Sequence, residues 1–169
     1  MSPRTLAVLT GVAAVLALVY VVSTREPAPP PAPAWISFDT SAIHRVEIQN
    51  PLHGKLFLER DGQTWKGMQD TVEVIPDTGA VDELLTMFLS LKSSELVSES
   101  PEKYRLFALD TANELLVRLN DPPAAVVHVG RDGPGGEFTY LRRNDDPVVW
   151  AVTGFQGWKI YRFFRPAQP

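Results

Sequence analysis

The sequence contains no cysteine, and this absence excludes a disulfide framework, a thiolate metal site and a lipid-modified N-terminal cysteine. It does not assign a redox compartment, because a domain with an adequate core needs no disulfide. Metal-binding histidines are also scarce, since only His44, His53 and His128 are present and they lack ligand spacing. We therefore expect no metal site and no cofactor.

A strong net charge is missing as well. The chain has 16 basic and 20 acidic side chains, which leave a net charge of -4. Nucleic-acid binding depends on a surplus of Lys and Arg to neutralise phosphates. The composition therefore argues against a nucleic-acid partner.

One segment has no charge at all. Residues 5–24 carry no charged side chain, and Arg4 and Arg25 flank them. Twenty helical residues span roughly 30 Å, the thickness of the hydrocarbon core of a bilayer. The alternative is a cleaved signal peptide, but the one small-residue cleavage triplet, Ala32-Pro33-Ala34, lies well beyond the apolar run. The pattern predicts an uncleaved single-pass anchor over residues 1–25, in contact with the lipid bilayer through residues 5–24.

Orientation of this anchor follows from a small charge bias. Arg4 and the terminal amine precede the span, whereas Arg25 after it is offset by Glu26. The positive-inside rule then puts the N-terminus in the cytoplasm and the remaining chain on the other side of the membrane. Small residues on the helix, Ala7, Gly11 and Ala14, are suited to packing against another membrane helix.

A proline-rich spacer, residues 26–34, follows the anchor. Its last eight residues are five prolines and three alanines. Proline lacks an amide hydrogen and has a fixed backbone angle, so neither a helix nor a sheet can continue here. At ~3.1 Å per residue, a polyproline-like spacer of this length measures roughly 25 Å. We expect it to separate the anchor from a folded domain over residues 35–169.

The folded domain begins with a strand pattern. Val46 and Ile48 alternate with polar residues, Asp61-Gly62 is typical of a tight hairpin turn, and Pro76-Asp77-Thr78 is typical of a helix start. The helix should end near Leu91. The other expected strands lie at 55–60, 63–68, 95–98, 114–119, 125–129, 138–143 and 148–152, with short helices at 101–107 and 155–164.

These elements predict an α+β fold with a mostly antiparallel sheet and two or three short helices, because the connections are too short for parallel crossovers. The order of elements is a meander and a helix, then a second meander and a helix. This order raises the possibility of an internal duplication.

Six segments of the domain follow one another in a distinctive order. They are Gly62-Gln63-Thr64-Trp65, the helix 81–91, the run Tyr104-Arg105-Leu106-Phe107-Ala108-Leu109-Asp110, Val127-His128-Val129-Gly130, Phe138-Thr139-Tyr140-Leu141 and residues 147–152. Together they resemble an uncharacterised bacterial family of membrane-anchored domains of unknown function. Genes of that family often lie beside gliding-motility-type ABC transporters.

The resemblance implies an envelope location, which for this orientation is the bacterial inner membrane with the domain in the periplasm, and association with membrane machinery. It implies no catalytic residue. One position departs from the family pattern: Ala108 stands where the family usually has glycine. If the backbone needs a positive φ there, alanine is a poor fit.

Sequence motifs for catalysis are weak. The stretch Gly130 to Gly136 lacks the Gly-Lys-Ser/Thr of a phosphate-binding loop and precedes a strand, so a hairpin loop is the better interpretation. Asp145-Asp146 lacks the alternating oxygen ligands of a calcium loop. The serines form no nucleophile elbow. We expect no catalytic residues and no enzyme activity.

Charge and aromatic residues are more informative. Residues 70–102 hold eight acidic side chains and one basic one, whereas residues 142–165 hold five basic and two acidic ones. In the last segment, arginine and lysine interleave with aromatic rings, a composition typical of protein interfaces and also of membrane surfaces or a simple core. A helix here would turn Ile160, Tyr161 and Phe164 toward the core. The residues predicted to bind a partner are Arg142, Arg143, Phe155, Trp158, Lys159, Arg162, Phe163 and Arg165.

Three functions are consistent with these features. The first is a non-enzymatic accessory subunit that docks on a larger integral-membrane complex, such as a transporter, a respiratory complex or a photosynthetic complex. The second is a module that binds a ligand or an envelope polymer for an ABC transporter, which predicts a concave pocket with converging polar groups. The third, an envelope enzyme, predicts two titratable side chains within hydrogen-bond reach in a cleft.

Overall fold

A computed structural model describes residues 35–120 and 122–164, except for the side chains of Ser93 and Ser94. The predicted anchor with Ala7, Gly11 and Ala14, the spacer, and Arg165 lie outside these residues. The strands are β1 Arg45–Asn50, β2 Gly54–Asp61, β3 Thr64–Gln69, β4 Val72–Val74, β5 Lys92–Ser98, β6 Leu115–Leu119, β7 Ala125–Asp132, β8 Thr139–Arg143 and β9 Val149–Thr153. The α-helices are α1 Thr78–Leu89 and α2 Trp158–Tyr161, and 3-10 helices occur at Thr40–Ala42, Pro101–Phe107, Pro134–Gly136 and Arg162–Phe164.

All nine strands of the described part form one sheet in the order β4-β3-β2-β1-β6-β7-β8-β9-β5. Every pairing in it is antiparallel, which confirms the predicted class of a mostly antiparallel sheet with a few short helices. Two meanders, β1 to β4 and β6 to β9, extend outward from the central β1–β6 pair, in which Ile48 lies opposite Val117. A helix follows each meander. That the two meander-and-helix units arose by an internal duplication stays a prediction.

One face of the sheet forms the core. Alternate side chains along a strand point to the same face, so Val46 and Ile48 of β1 lie beside the inward residues of β2 and β6. Helix α1 packs on this first face with Val81, Leu84 and Phe88, which share one side of the helix. Burying each large apolar side chain contributes about 1.5–3 kcal/mol.

Helix α1 begins where the sequence predicts it. The side chain of Asp77 accepts a hydrogen bond of 2.9 Å from the Gly79 amide, which satisfies one of the unpaired amides of the first turn. The helix ends at Leu89, slightly before the predicted end at Leu91. Leu91 is buried in the core, and the chain enters β5 directly after it.

Three elements differ most from the prediction. Strand β4 was not predicted, because three residues with Glu73 at the centre carry too little pattern. Strand β5 begins at Lys92 and not near Glu95, since its pairing with β9 contains register shifts that disturb the alternation. The aromatic C-terminal helix is shorter than 155–164: only Trp158–Tyr161 is α-helical, and a 3-10 turn follows.

The second face of the sheet is partly covered by the 3-10 helix Pro101–Phe107. The ring of Phe107 lies 4.8 Å from that of Tyr140 on β8, and the hydroxyl of Tyr104 donates a 3.0 Å hydrogen bond to the Pro147 carbonyl. Beneath it, Gly130 of β7 lies so close to the Phe107 carbonyl oxygen that a Cβ atom would collide with it. The glycine at position 130 therefore permits this cover to lie directly on the sheet.

Ala108 ends this 3-10 helix in the left-handed conformation, with φ 54° and ψ 38°. The position where the family usually has glycine therefore does need a positive φ. A Cβ atom in this region crowds the backbone, at a cost of roughly 1–2 kcal/mol.

We predict that Ala108→Gly raises the free energy of unfolding by about 1 kcal/mol, because glycine removes the steric strain at this φ. Equilibrium denaturation measures the change. Asn144→Gly is a matched control, since Asn144 also has a positive φ but its side chain accepts a 3.1 Å hydrogen bond from the Val126 amide. Losing that bond should destabilise the protein, and a gain in both variants would contradict the explanation.

Gly130→Ala should destabilise the protein by about 1–3 kcal/mol, the usual cost of overpacking, because the new methyl group meets backbone and not a flexible side chain. Amides of residues 104–109 should lose protection from hydrogen exchange. Gly79→Ala is the control, because a Cβ atom there meets only the Asp77 carboxylate at 3.4 Å, and alanine favours the helix. Unchanged stability of the Gly130→Ala protein would show that the cover does not lie tightly on β7.

Candidate functional site

The residues predicted to bind a partner occupy different places in the fold. Phe155, Trp158, Lys159, Arg162 and Phe163 belong to the C-terminal segment on the first face of the sheet. Arg142 and Arg143 lie on β8 and make other contacts. The structure therefore brings together only part of the predicted set.

The buried part of the C-terminal segment joins the core. Phe155 stacks on Phe88 of α1 with 5.5 Å between ring centroids, and Phe164 stacks on His53 at 5.4 Å. Ile160 is completely buried, and Phe163 is half-buried against the core cluster. These aromatic residues pack within the domain, and the role of Phe155 in binding a partner stays a prediction.

An exposed aromatic surface remains at the same place. Trp158 is 64% exposed and Tyr161 is 43% exposed, one helical turn apart on α2. The ring of Tyr161 packs edge-on against His53 at 5.6 Å, and the neighbouring Leu52 is 87% exposed. We call Leu52, His53, Trp158 and Tyr161 the Trp158 surface. The prediction that Tyr161 faces the core is wrong, because the short helix turns only Ile160 inward.

Charged groups hold this segment on α1. The Glu83 carboxylate accepts a 2.8 Å hydrogen bond from Lys159 and a 3.0 Å bond from Arg162, which also donates to the Ala80 carbonyl at 3.2 Å. We call Glu83, Lys159 and Arg162 the Glu83 clamp. The hydrogen bond from Lys159, followed by that from Arg162, lowers the pKa of Glu83, so the carboxylate is stabilised in its charged form.

The phenol of Tyr161 has a raised pKa. Partial burial is the main cause, and the negative charge of Asp132 adds to it. Both effects disfavour the phenolate. Tyr161 therefore offers a neutral hydroxyl that can donate a hydrogen bond to a partner.

Arg142 and Arg143 are committed to contacts within the domain. Arg143 donates a 2.7 Å hydrogen bond to the Trp35 carbonyl and lies 3.9 Å from Asp146. Arg142 lies on the second face, where its guanidinium contacts His128 and the ring of Tyr104. Neither arginine contributes to the Trp158 surface.

The acidic and basic stretches of the sequence contact one another. Glu83 belongs to the acidic stretch 70–102, whereas Lys159 and Arg162 belong to the basic stretch 142–165. A second acidic residue, Asp82, lies 3.6 Å from Arg60. The charge separation in the sequence is therefore partly cancelled in the fold, which the sequence pattern alone did not indicate.

Two recesses lie near these groups. A cleft of about 290 Å³ is lined by Val74, Ile75, Phe163 and Arg162 on the first face. An open recess of about 470 Å³ lies on the second face, with Phe57 and Met68 among charged side chains. His, Asp and Glu residues within 35–120 and 122–164 form no group of three that could hold a metal ion. In the same ranges, no helix combines the length and the apolar character needed to cross a membrane.

Sequence reasoning missed the roles of Glu83, Leu52 and His53. Glu83 is 76 positions from Lys159 in the sequence, and His53 is farther still from Tyr161, so one sequence contains no signal for these long-range contacts. The exposure of Trp158 was indicated by the sequence, because Trp158 was one of the aromatic residues outside the predicted inward face of the helix.

Comparison with curated proteins and with solved structures finds no match. A family described as a domain of unknown function, DUF4340, matches residues 68–159. The matched residues begin in β3 and end in α2, and they contain α1, the 3-10 helix Pro101–Phe107 and the strands β4 to β9. Glu83, Ala108, Arg142 and Trp158 are among them. On this ground the chain belongs to the DUF4340 family of domains of unknown function.

Proposed function

We propose that this protein is a non-enzymatic, membrane-anchored accessory subunit whose extracytoplasmic domain docks on a larger integral-membrane complex. The observation that carries the proposal is the Trp158 surface, an exposed aromatic pair on a helix that is fixed to the domain. Trp and Tyr are the residues most enriched at the energetic centres of protein interfaces.

Trp158 exposes more of its ring than a folded domain normally leaves in water. Burying the exposed part of such a ring against a partner would contribute about 3 kcal/mol. Tyr161 adds a second aromatic face and a hydroxyl donor. Leu52, which precedes His53 in the chain, is a further exposed apolar side chain. A cluster of this composition is typical of a contact site on a protein partner.

The Glu83 clamp supports docking by fixing the surface before a partner arrives. Binding costs free energy when flexible side chains and segments must be ordered. Two hydrogen bonds from α2 and the following turn to one carboxylate restrict the segment that carries Trp158. Part of the ordering cost is therefore met during folding.

The predicted anchor would place the protein in the same membrane as its partner. A bilayer span at residues 5–24, with the small residues Ala7, Gly11 and Ala14, suits lateral packing against a membrane helix. Tethering to the same membrane raises the effective concentration of the domain, so even a weak contact is occupied. The family resemblance favours a transporter over a respiratory or photosynthetic complex as the partner.

The second function, a ligand-binding or polymer-binding module, receives less support. The cleft beside Arg162 has a volume close to the lower limit of small-molecule sites. Its two charged side chains already bond within the protein: Arg162 donates to Ala80 and Glu83, and Asp77 caps α1. A ligand would have to compete with these bonds. The recess on the second face is larger, about 470 Å³, but it is open, and its Lys66 bonds Asp61 at 2.6 Å. The docking function therefore accounts better for the geometry.

We predict that Trp158→Ala reduces recovery of the membrane partner about tenfold or more, the effect of removing an interface hot spot. The tagged full chain is purified from its native membrane with native lipids, and its partners are identified by mass spectrometry. Ile75→Ala is the matched control, because Ile75 is 95% exposed but lies at the cleft and outside the Trp158 surface. Recovery of the wild-type chain as a lone monomer, or equal recovery with Trp158→Ala, would refute the proposal.

Glu83→Gln should weaken partner recovery less than Trp158→Ala, because it loosens the segment without removing the aromatic contact. The pH dependence has a defined sign. The native pKa of Glu83 is lowered, so its stabilising contribution is complete above the ordinary glutamate value near ~4.3 and is lost as the pH falls through the native value. Hydrogen exchange of residues 158–164 should show this acid loss in the wild type and not in Glu83→Gln. An identical acid response in both proteins would exclude the clamp as its cause.

A further inference from the structure

Strand β4 is one edge of the sheet, and within residues 35–120 and 122–164 no further strand lies beside it. Its pairing with β3 aligns Gln69 with Val72 across a two-residue turn. In such a turn the fourth residue donates its amide to the carbonyl of the first, so the amide of Val72 faces β3. Backbone groups alternate in direction along a strand, so the N–H and C=O of Glu73 point away from the sheet. Glu73 therefore offers one donor and one acceptor to a further strand.

Recesses open on both sides of this edge. On the first face, Val74 and Phe163 line the cleft of about 290 Å³. On the second face, Glu73 and Met68 line the recess of about 470 Å³ beside Phe57. A strand added to β4 would direct its side chains alternately toward these two recesses. Strand addition is a known mode of recognition in which backbone bonds provide affinity and pockets for alternate side chains provide specificity.

The second-face recess contains a carboxylate without a partner. Its two basic side chains already have partners, since Lys66 lies 2.6 Å from Asp61 and Arg45 lies 4.0 Å from Glu59. Hydrogen bonding to Asp61 raises the pKa of Lys66 most, and the charge of Glu73 adds the least. Within the part of the chain that the structure describes, the exposed carboxylate of Glu73 forms no hydrogen bond and no ion pair. A positive charge from a partner would complement it.

The two faces require different side chains of an added strand. The residue opposite Glu73 would point to the second face, where Phe57 and Met68 are cross-strand neighbours. Lys or Arg suits this place, because its aliphatic stem covers apolar surface while its charged end meets the carboxylate. The two adjoining residues would lie beside Val72, which is 61% exposed, and Val74, which packs on the core. The pattern that fits is therefore apolar, basic, apolar.

A second copy of the chain is a poor source of this strand. Pairing of β4 with its own copy about Glu73 would place two carboxylates directly opposite each other, which is destabilising. The other edge strand, β5, contains Lys92 as its one basic residue, and the preceding Leu91 is buried in the core. Register shifts in β5 also disfavour regular pairing along its edge. The charge and the pattern favour a segment of a different protein.

The β4 edge adjoins the Trp158 surface. The side chain of Gln69, the last residue of β3, donates a 3.2 Å hydrogen bond to the His53 carbonyl. Asp70, in the turn between β3 and β4, accepts a 3.1 Å bond from the Lys55 amide through its carboxylate. The turn that carries Leu52 and His53 is therefore next to the turn that leads into β4. One partner can contact both places.

We propose that a protein partner adds an extended segment with the pattern apolar, basic, apolar to the outer side of β4, with its basic side chain on Glu73. The proposal rests on the docking function above and identifies a second part of the contact. A strand of three residues offers few backbone bonds, so this part alone is weak. Simultaneous contact at the Trp158 surface raises the effective concentration of the segment, so the β4 edge is occupied in the complex.

The first test uses the full chain in detergent micelles and the synthetic peptide Thr-Val-Lys-Val-Thr, blocked at both ends. NMR titration to millimolar peptide should shift the amide signals of Val72, Glu73 and Val74, and the Glu73 amide should exchange more slowly with solvent. Glu73→Lys should weaken binding about fivefold, the upper value for a cross-strand charge pair. The peptide Thr-Val-Glu-Val-Thr should bind Glu73→Lys better than it binds the wild type.

Two further variants separate strand addition from a general charge effect. Glu73→Pro removes an outward N–H, whereas the amides of Val72 and Val74 keep their bonds to β3, so peptide binding should be lost. Glu95→Lys makes the same charge change on the exposed β5 edge and should leave binding unchanged. Ile75→Ala leaves the backbone and carboxylate of Glu73 in place and remains a control for the Trp158 surface. Absence of any shift at the β4 amides, or equal binding by wild type and Glu73→Lys, would overturn the proposal.

Recovery from native membranes distinguishes this proposal from the docking function. Glu73→Lys should lower recovery of the membrane partner about fivefold, whereas Glu95→Lys should not. Loss of the partner in Trp158→Ala without any loss in Glu73→Lys would refute the β4 contact and leave the docking function standing. Peptide binding at β4 with no partner recovered by the wild type would refute the docking function alone. A second copy of the chain recovered through Glu73 would overturn the choice of occupant.

Discussion

Helix α1 joins the two edges of the sheet, and the rest of the domain depends on this crossing. Strand β4 is at one edge and β5 at the other, so the chain between them must pass over the whole first face. The connectors are short: residues 75–77 lead into α1, and residues 90–91 lead from it into β5, with Ser90 still in a helical conformation. With so few connecting residues, α1 has little freedom in where it crosses the first face.

This crossing also positions the candidate site. Because α1 lies across the first face, its Phe88 is available to stack on Phe155, and its Glu83 is available to Lys159 and Arg162. The second helix then covers the part of the core that α1 leaves open. The exposure of Trp158 follows from the shortness of that second helix, since one turn can bury only the single residue Ile160.

Local sequence patterns were sufficient for most of the secondary structure. The alternation at Val46 and Ile48, the Asp61-Gly62 turn and the Asp77 cap each depend on residues close in sequence, so their physical cause is visible in the sequence. Ala108 is a further case, because the glycine expected at that position in the family implied a positive φ. Strand β5 could not be placed in this way, since only its distant partner β9 determines its edge position and its bulges.

The candidate site was predictable only in part, for the same reason. The aromatic and basic composition of the C-terminal segment indicated an interface, but composition did not separate Phe155 and Phe163, which pack inward, from Trp158, which does not. Arg142 and Arg143 have the charge expected of an interface, yet their guanidinium groups contact carbonyl groups and a ring within the domain. A single sequence does not contain the distances that decide between these roles.

The two helical covers share a physical weakness that relates structure to function. Helix α2 buries Ile160, and the neighbouring Phe155 and Phe164 join the core, whereas the 3-10 helix Pro101–Phe107 buries none of its own residues. Each cover also makes a contact with an arginine: Arg162 bonds the Glu83 carboxylate, and Arg142 contacts the ring of Tyr104. Protonation of Glu83 would weaken the first of these contacts, whereas the apolar contacts of the sheet core do not depend on pH. The sheet with α1 should therefore form the stable unit, and the two covers should be the elements whose opening costs the least free energy. In a domain built this way, adaptation to a partner or to pH occurs at the covers while the core remains unchanged.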